Sequence, residues 1–306
     1  MRAGDRIFQN LTTGAGVFIV ALIALIGIFL IVQAIPALRA DKANFLFNHG
    51  WSTNDPANMS FGIADLLEVT VATSLVALVI AMPVSLGIAL FLTQYAPKRL
   101  ARPFAYVIDL LAAVPSIIFG LWGILVFAPA IEPFAQWVNS TFSWIPIFAP
   151  GNVAPSVRGT IFTAGIVLAV MILPIITSLS REVFERTPTT HIEGALALGA
   201  TRWEVIRTTV LPFGKAGYIG ASMLGLGRAL GETIALAVIL LIPVGRNFDW
   251  SVFDGGATFA SKIAANYSEF NNATSAGAYI AAGLVLFVLT FVVNFAARSI
   301  IGKKGD

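Results

Sequence analysis

The chain has 306 residues, of which 57% are hydrophobic and 11% charged, with a formal net charge of +3 and no cysteine; its mean hydropathy is +0.85. A soluble domain carries about 25% charged residues, so this composition lacks the polar surface that a water-exposed globule needs and fits lipid as its solvent. Disulfides, thiolate metal sites and cysteine nucleophiles are excluded from the subunit, and a net charge this small gives no reason to infer a nucleic-acid partner.

A helix needs roughly 20 apolar residues to cross about 30 Å of hydrocarbon. Six stretches meet that need, at 16–36, 65–93, 104–128, 158–180, 216–244 and 276–298. The first follows Arg2 and Arg6 but outlasts a signal-peptide core and precedes five further spans, so it is read as a retained helix. Backbone groups in lipid must pair within their own segment, and no ten-residue alternation supports a barrel, so the expected fold is an all-α, polytopic helix bundle forming a single domain over 1–306. Pro83, Pro115 and Pro174 fall inside spans two, three and four, and each predicts a kink or break.

Lys and Arg counts orient the bundle. With the N-terminus inside, the inner segments carry Arg2, Arg6, Lys98, Arg99, Arg102, Arg181, Arg186, Arg202, Arg207, Lys215, Arg298, Lys303 and Lys304, and the outer ones Arg39, Lys42, Arg158, Arg246 and Lys262, a ratio of 13 to 5. Both termini are therefore expected in the cytoplasm. Outer connections are expected at 37–64, 129–157 and 245–275. The middle one, with Pro129, Pro133, Pro146, Pro150, Pro155, Trp137 and Trp144, suits a segment resting at the membrane surface.

The longest inner connection, 181–215, carries a patterned stretch from Glu193 to Pro212. Its first half is helix-forming; Gly199 can end that helix in a left-handed conformation, and a second short helix begins near Thr201. Leu211-Pro212 reads as its stop. Two short helices meeting at such a bend make a knob, with Ala195 and Leu198 as apolar contacts and Arg202, Glu204 and Arg207 around them, suited to a groove on a cytoplasmic partner.

In the fifth span the run Gly225-Leu226-Gly227-Arg228-Ala229-Leu230-Gly231-Glu232-Thr233 places an arginine about 18 Å along the helix, near mid-depth. Burying it there costs at least about 2.5 to 3.5 kcal/mol on insertion scales. Glu232, four residues on, lies on the same face of a continuous helix and can pair with it. A structural ion pair is one account; a site for a passing tetrahedral oxyanion, which a guanidinium grips through two parallel hydrogen bonds, is the other. Small residues at helical spacing, Gly217, Ala221, Gly225 and Ala229, and separately Gly227, Gly231 and Ala235, let neighbouring helices approach closely. Asp109, some six residues into the third span, is a second buried-charge candidate. His49 and His191 receive no role; no sequence spacing suits a metal, and no nucleophile and base pair suggests an enzyme.

The spacing Glu193, Ala195, Gly199, Leu211, Pro212 resembles the cytoplasmic E-A-A, three residues, G, nine residues, I-x-L-P motif of permease subunits of bacterial ABC importers, with Gly194 and Thr209 departing from it. The runs Gly225–Thr233 and Leu111–Gly123 resemble the phosphate-specific transport permeases of the PstC type, and this likeness extends from Arg6 through the sixth helix. The resemblance implies a type I, MetI-like importer permease carrying inorganic phosphate, in a bacterial inner membrane. It implies Arg228 and Glu232 in the anion path, with Asp109 a further candidate, and Glu193, Ala195, Leu198, Gly199, Arg202, Leu211 and Pro212 in the coupling helix. It also implies a PstA-like second permease, a PstB-like ATPase dimer holding ATP and Mg, and a PstS-like extracytoplasmic binding protein. The chain has no G-x-x-x-x-G-K-[ST] sequence and needs no cofactor of its own. A permease for sulfate or molybdate, or a proton-coupled secondary anion transporter using Glu232, are the competing readings.

Overall fold

The computed structural model describes residues 3–53, 55, 58–243, 248–270 and 272–302. Arg2, Arg246, Lys303 and Lys304 of the charge count lie outside the described residues. In chain order the elements are α1 (Ala3–Ala40), a two-stranded hairpin of β1 (Trp51–Ser52) and β2 (Ser60–Phe61), α2 (Ala64–Leu90), α3 (Lys98–Ala112), α4 (Ser116–Trp122), α5 (Ala128–Thr141), α6 (Ile161–Glu185), α7 (Thr189–Ala197), α8 (Arg202–Val205), α9 (Leu211–Leu230), α10 (Ile234–Ile239), α11 (Phe259–Ala265) and α12 (Ala273–Gly302). Three π-helical turns, Phe91–Tyr95, Gly123–Phe127 and Ile206–Val210, continue α2, join α4 to α5 and join α8 to α9.

The chain divides into two compact units, residues 1–63 with 266–289, and residues 64–265 with 290–306. In the first, α1 packs on the start of α12 where Gly277 allows it: a Cβ there would meet the Ala37 side chain at 2.9 Å and the Gln33 carbonyl at 3.0 Å. The hairpin pairs Trp51 with Phe61 and Ser52 with Ser60, antiparallel. It closes over Ala37, Met59 and Ala278. Tyr279, 1% exposed, stacks obliquely on Trp51 and Phe270, and its hydroxyl donates to Glu269, which also accepts from Thr53 and Asn266. A buried phenol is thus satisfied, as its desolvation requires.

The second unit is built around α6. Two-thirds (67%) of its most apolar stretch is buried inside the chain, against 0% for the corresponding stretch of α1. The α6 helix packs on α2 and on α9. Gly165 admits Val76 of α2, Gly225 of α9 admits Ile176, and Gly217 admits Val183; a Cβ at any of the three would sit 2.5 to 2.7 Å from those side chains. The first small-residue row of the fifth span therefore serves contact within the chain. On the outer side Asp254, fully buried, accepts backbone N–H bonds from Asn152 (2.7 Å), Asp249 (2.9 Å) and Ser251 (2.9 Å). Its own carbonyl accepts from Ile161 (2.8 Å), so this residue ties the connection after α10 to the N-terminus of α6.

Five described helical segments are long and apolar enough to cross a membrane: 4–40, 64–95, 116–141, 161–185 and 273–297. Three departures from expectation matter. First, the third crossing is 116–141 rather than 104–128. Val114 precedes a proline, which disfavours helix there, and the amides of Ala113 and Val114 tighten onto Leu110 and Leu111 before the chain restarts at Ser116. The helix then runs on through Pro129, Pro133 and Trp137 to Thr141, which shortens the outer connection accordingly. Second, Pro83 and Pro174 sit inside uninterrupted helices, so only Pro115 marks a break. Third, the expected fifth span is two helices, described next.

Candidate functional site

Between α9 and α10 the helix stops at Leu230 and restarts at Ile234. Glycine weakens the last turn, and Glu232 offers the next helix a partner that competes with continuation: its Oε1 accepts the Ala235 N–H at 3.3 Å. Thr233 donates its hydroxyl to the Gly231 carbonyl at 3.1 Å. The break puts Arg228 in the last turn of α9 and Glu232 just before the first turn of α10, each at the helix end whose dipole favours its charge.

This corrects the expected pairing. The i, i+4 relation of Arg228 and Glu232 needs a continuous helix, and among the described residues no ion pair within 4 Å joins them. Glu232 is 7% exposed and is engaged as a cap; Arg228 is half-buried. The arginine thus reaches the interruption without an anionic partner among the described residues. Packing around the break is close: Gly120 of α4 lies against α10, where a Cβ would stand 2.8 Å from Ala235 Cα. Gly123 meets Ile239 and Val167 in the same way, at 2.9 Å. These glycines, in the Leu111–Gly123 run, fix α4 to the short helix after the break.

Asp109 is not in a crossing helix. It lies on α3, a 15-residue helix, with its side chain 48% exposed and Arg181 Nη2 3.7 Å away, and it accepts the Ser178 hydroxyl at 2.7 Å. It clamps α3 to the end of α6; the structure does not bring it to the break.

The knob takes the expected form in its first half. Gly199 has φ +87°, and the amides of Ala200 and Gly199 bond the carbonyls of Ala195 (3.1 Å) and Leu196 (2.9 Å), the paired bonds that close a helix on a left-handed glycine. Thr201 then caps α8 in a reciprocal box with Glu204: the Glu204 N–H meets Thr201 Oγ1 at 3.3 Å, and the Thr201 N–H meets Glu204 Oε2 at 2.7 Å. The Thr201 N–H and the Thr201 hydroxyl, both donating to Oε2, hold the Glu204 carboxyl below its ordinary range. Ala195 turns inward against Val205 and Ile206, while Leu198 is 91% exposed at the tip, with Glu193 and Arg202 also exposed. The second half departs from expectation. Leu211-Pro212 is not a stop: the π turn shifts the ladder so that Leu211 bonds Ile206, and the helix runs on through Pro212, which lacks an N–H, into α9. Knob and fifth crossing are therefore one continuous helical rod from Arg202 to Leu230. Sequence reasoning missed the π turn; Pro212, eleven residues after the Thr201 cap, was its trace.

A family model for the binding-protein-dependent transport system inner membrane component matches residues 81–303. The chain is 59% identical over 303 residues to the phosphate transport system permease protein PstC 2 of Mycobacterium tuberculosis, covering 99% of this chain and 93% of that protein. It is 57% identical to PstC of Mycobacterium leprae, covering 99% and 95%, and 38% identical to PstC of Haemophilus influenzae, covering 98% and 93%. Among solved structures it superposes on a bacterial ABC transporter involved in import of the acidic polysaccharide alginate, with TM-score 0.58 at 15% identity over 100% of both chains. It also superposes on the inward-facing MetNI methionine ABC transporter, with TM-score 0.55 at 20% identity over 79% of this chain and 94% of that one. At these identities the two structures speak to fold.

Proposed function

The chain belongs to the binding-protein-dependent transport system inner membrane components, and within them to the phosphate transport permeases of the PstC type, and on that premise we propose that it carries inorganic phosphate across the plasma membrane as the permease subunit of an ATP-driven importer. It is a multi-pass transport component and not an enzyme. The observation that carries the reading is the interrupted fifth apolar passage, which brings Arg228 to a helix break with, among the described residues, no carboxylate within 4 Å.

Interrupted helices are tolerated in lipid where they line a cavity or are covered by protein, and transporters place their substrate sites there. A guanidinium at such a point binds a tetrahedral oxyanion through two parallel charge-assisted bonds. Glu232, fixed as the α10 cap a few residues on, supplies a nearby negative charge that keeps the anion from settling, as passage requires. Asp109 acts at a distance by clamping α3 to α6.

Work enters through the knob. Glu193, Ala195, Leu198, Gly199 and Arg202 form the part that docks into a PstB-like ATPase dimer, which holds the ATP and Mg, and Leu211 and Pro212 belong to the joint that passes its motion to α9. A PstA-like permease pairs with this chain, a PstS-like protein delivers phosphate from outside, and both termini lie in the cytoplasm. In the complete assembly, Arg228→Ala should leave co-purification with the ATPase intact and lower phosphate uptake by at least about 30-fold, the cost of removing one partner of a desolvated charge contact. Uptake at the wild-type rate overturns the role given to Arg228.

A further inference from the structure

A cavity of about 450 Å³ opens at the end of α9 that adjoins the knob. Its walls are Leu86 of α2, Phe184 of α6, and Leu211 and Tyr218 of α9, and the charged residues that line it are two cations, Arg207 and Lys215. The one phenol is already engaged, since Tyr218 donates to the Met82 carbonyl at 2.9 Å. Both cations are exposed, and among the described residues neither has a carboxylate within 4 Å. The volume is in the range of small-molecule sites. Phe213, 48% exposed, lies beside it in the sequence on the same first turn of α9.

We infer that this cavity is a site for one anionic phospholipid, with its headgroup phosphate held by Arg207 and Lys215 and part of an acyl chain against Leu86, Phe184, Leu211 and Tyr218. A dry apolar wall gains nothing from a free inorganic ion, whereas an amphiphile uses both halves of the site. Two lining cations that no described carboxylate pairs complement a phosphodiester, and neutral headgroups leave their charge unanswered. The bound lipid lies against the π turn, the joint between the knob and the fifth crossing, and so braces the rod through which the partner's motion reaches the break. The inference needs only the membrane setting of this end of the bundle and does not depend on the cargo.

The test uses the complete assembly, delipidated and reconstituted in nanodiscs of phosphatidylcholine with a small fraction of phosphatidylglycerol, and counts phosphatidylglycerol bound per complex by native mass spectrometry. The wild type should retain one molecule. Arg207→Gln with Lys215→Gln should weaken that binding by about 30-fold, the effect of two basic contacts at a lipid surface. Leu86→Trp, which fills the cavity and leaves both charges, should also displace the lipid. Each variant is first checked for intact assembly, so that loss of lipid is separable from loss of fold. Equal retention in wild type and the double variant overturns the site. Displacement of the lipid by millimolar inorganic phosphate overturns it in favour of a free-ion site. Loss of the second permease from the double variant overturns it in favour of a protein contact.

Discussion

The fourth and fifth crossings pack against each other, yet they treat their awkward residues in opposite ways. α6 carries Pro174 near its middle and still runs 25 residues without interruption. The fifth crossing has no proline between 213 and 242 and breaks at Gly231–Thr233. The difference lies in what surrounds each. Pro174 is buried in a helix that packs on both α2 and α9, and a proline costs a helix one hydrogen bond and a local clash. At 231–233 a glycine loosens the turn and a carboxylate offers the next amides another partner. Missing donors are survivable in a well-packed helix; competing acceptors beside a glycine are not.

Replacing Glu232 attacks that contrast most directly. Glu232→Ala removes the cap of α10 and the charge near Arg228, and uptake should fall about tenfold, while loss of a cap of this kind costs about 0.5–2 kcal/mol locally. Glu232→Gln restores an acceptor for Ala235 without the charge. Amide exchange at 234–239 should therefore return to wild-type protection in the Gln variant while uptake stays low. Unchanged protection in the Ala variant would mean that packing on Gly120, and not the cap, holds the break.

A smaller effect is expected from Pro174→Ala. Restoring one backbone donor in a helix already held by its neighbours should change stability by no more than about 1 kcal/mol and leave uptake within about twofold. A collapse of transport in this variant would make α6 the hinge and invert the comparison.

The smallest effect is at the start of the fifth segment. The bonds from the Thr201 amide and hydroxyl depress the Glu204 carboxyl below the ordinary glutamate value of about 4.3. A depressed carboxyl contributes stability above its unfolded value and loses it as pH falls through the folded one. Amide protection at 202–205 should accordingly be flat from neutral pH down to that range and decline below it. Glu204→Gln should remove most of that acid-side decline.

How far the site was legible follows from the range of the interactions behind each part. Gly199 and the helix start near Thr201 were readable because a left-handed glycine and an N-cap are settled by residues within a few positions of each other. Arg228 was readable as an outlier, since a cation in an apolar run is costly wherever the run ends up. Its relation to Glu232 was not: the i, i+4 inference assumed a helix that the chain interrupts. Asp109 was misplaced because the apolar run from 104 to 128 is continuous by hydropathy, although Pro115 divides it into an amphipathic helix and a crossing one.

The sequence by itself determined the membrane setting, the all-helical build and the bend of the knob at Gly199. Composition and short-range capping chemistry need no distant partner to act. Tertiary structure alone decided that Pro174 stays inside an unbroken helix and which helix faces meet. Each of these turns on close contacts between segments far apart in the chain, such as Gly120 on Ala235 and Gly225 on Ile176, and hydrophobic pattern carries no record of which helices meet.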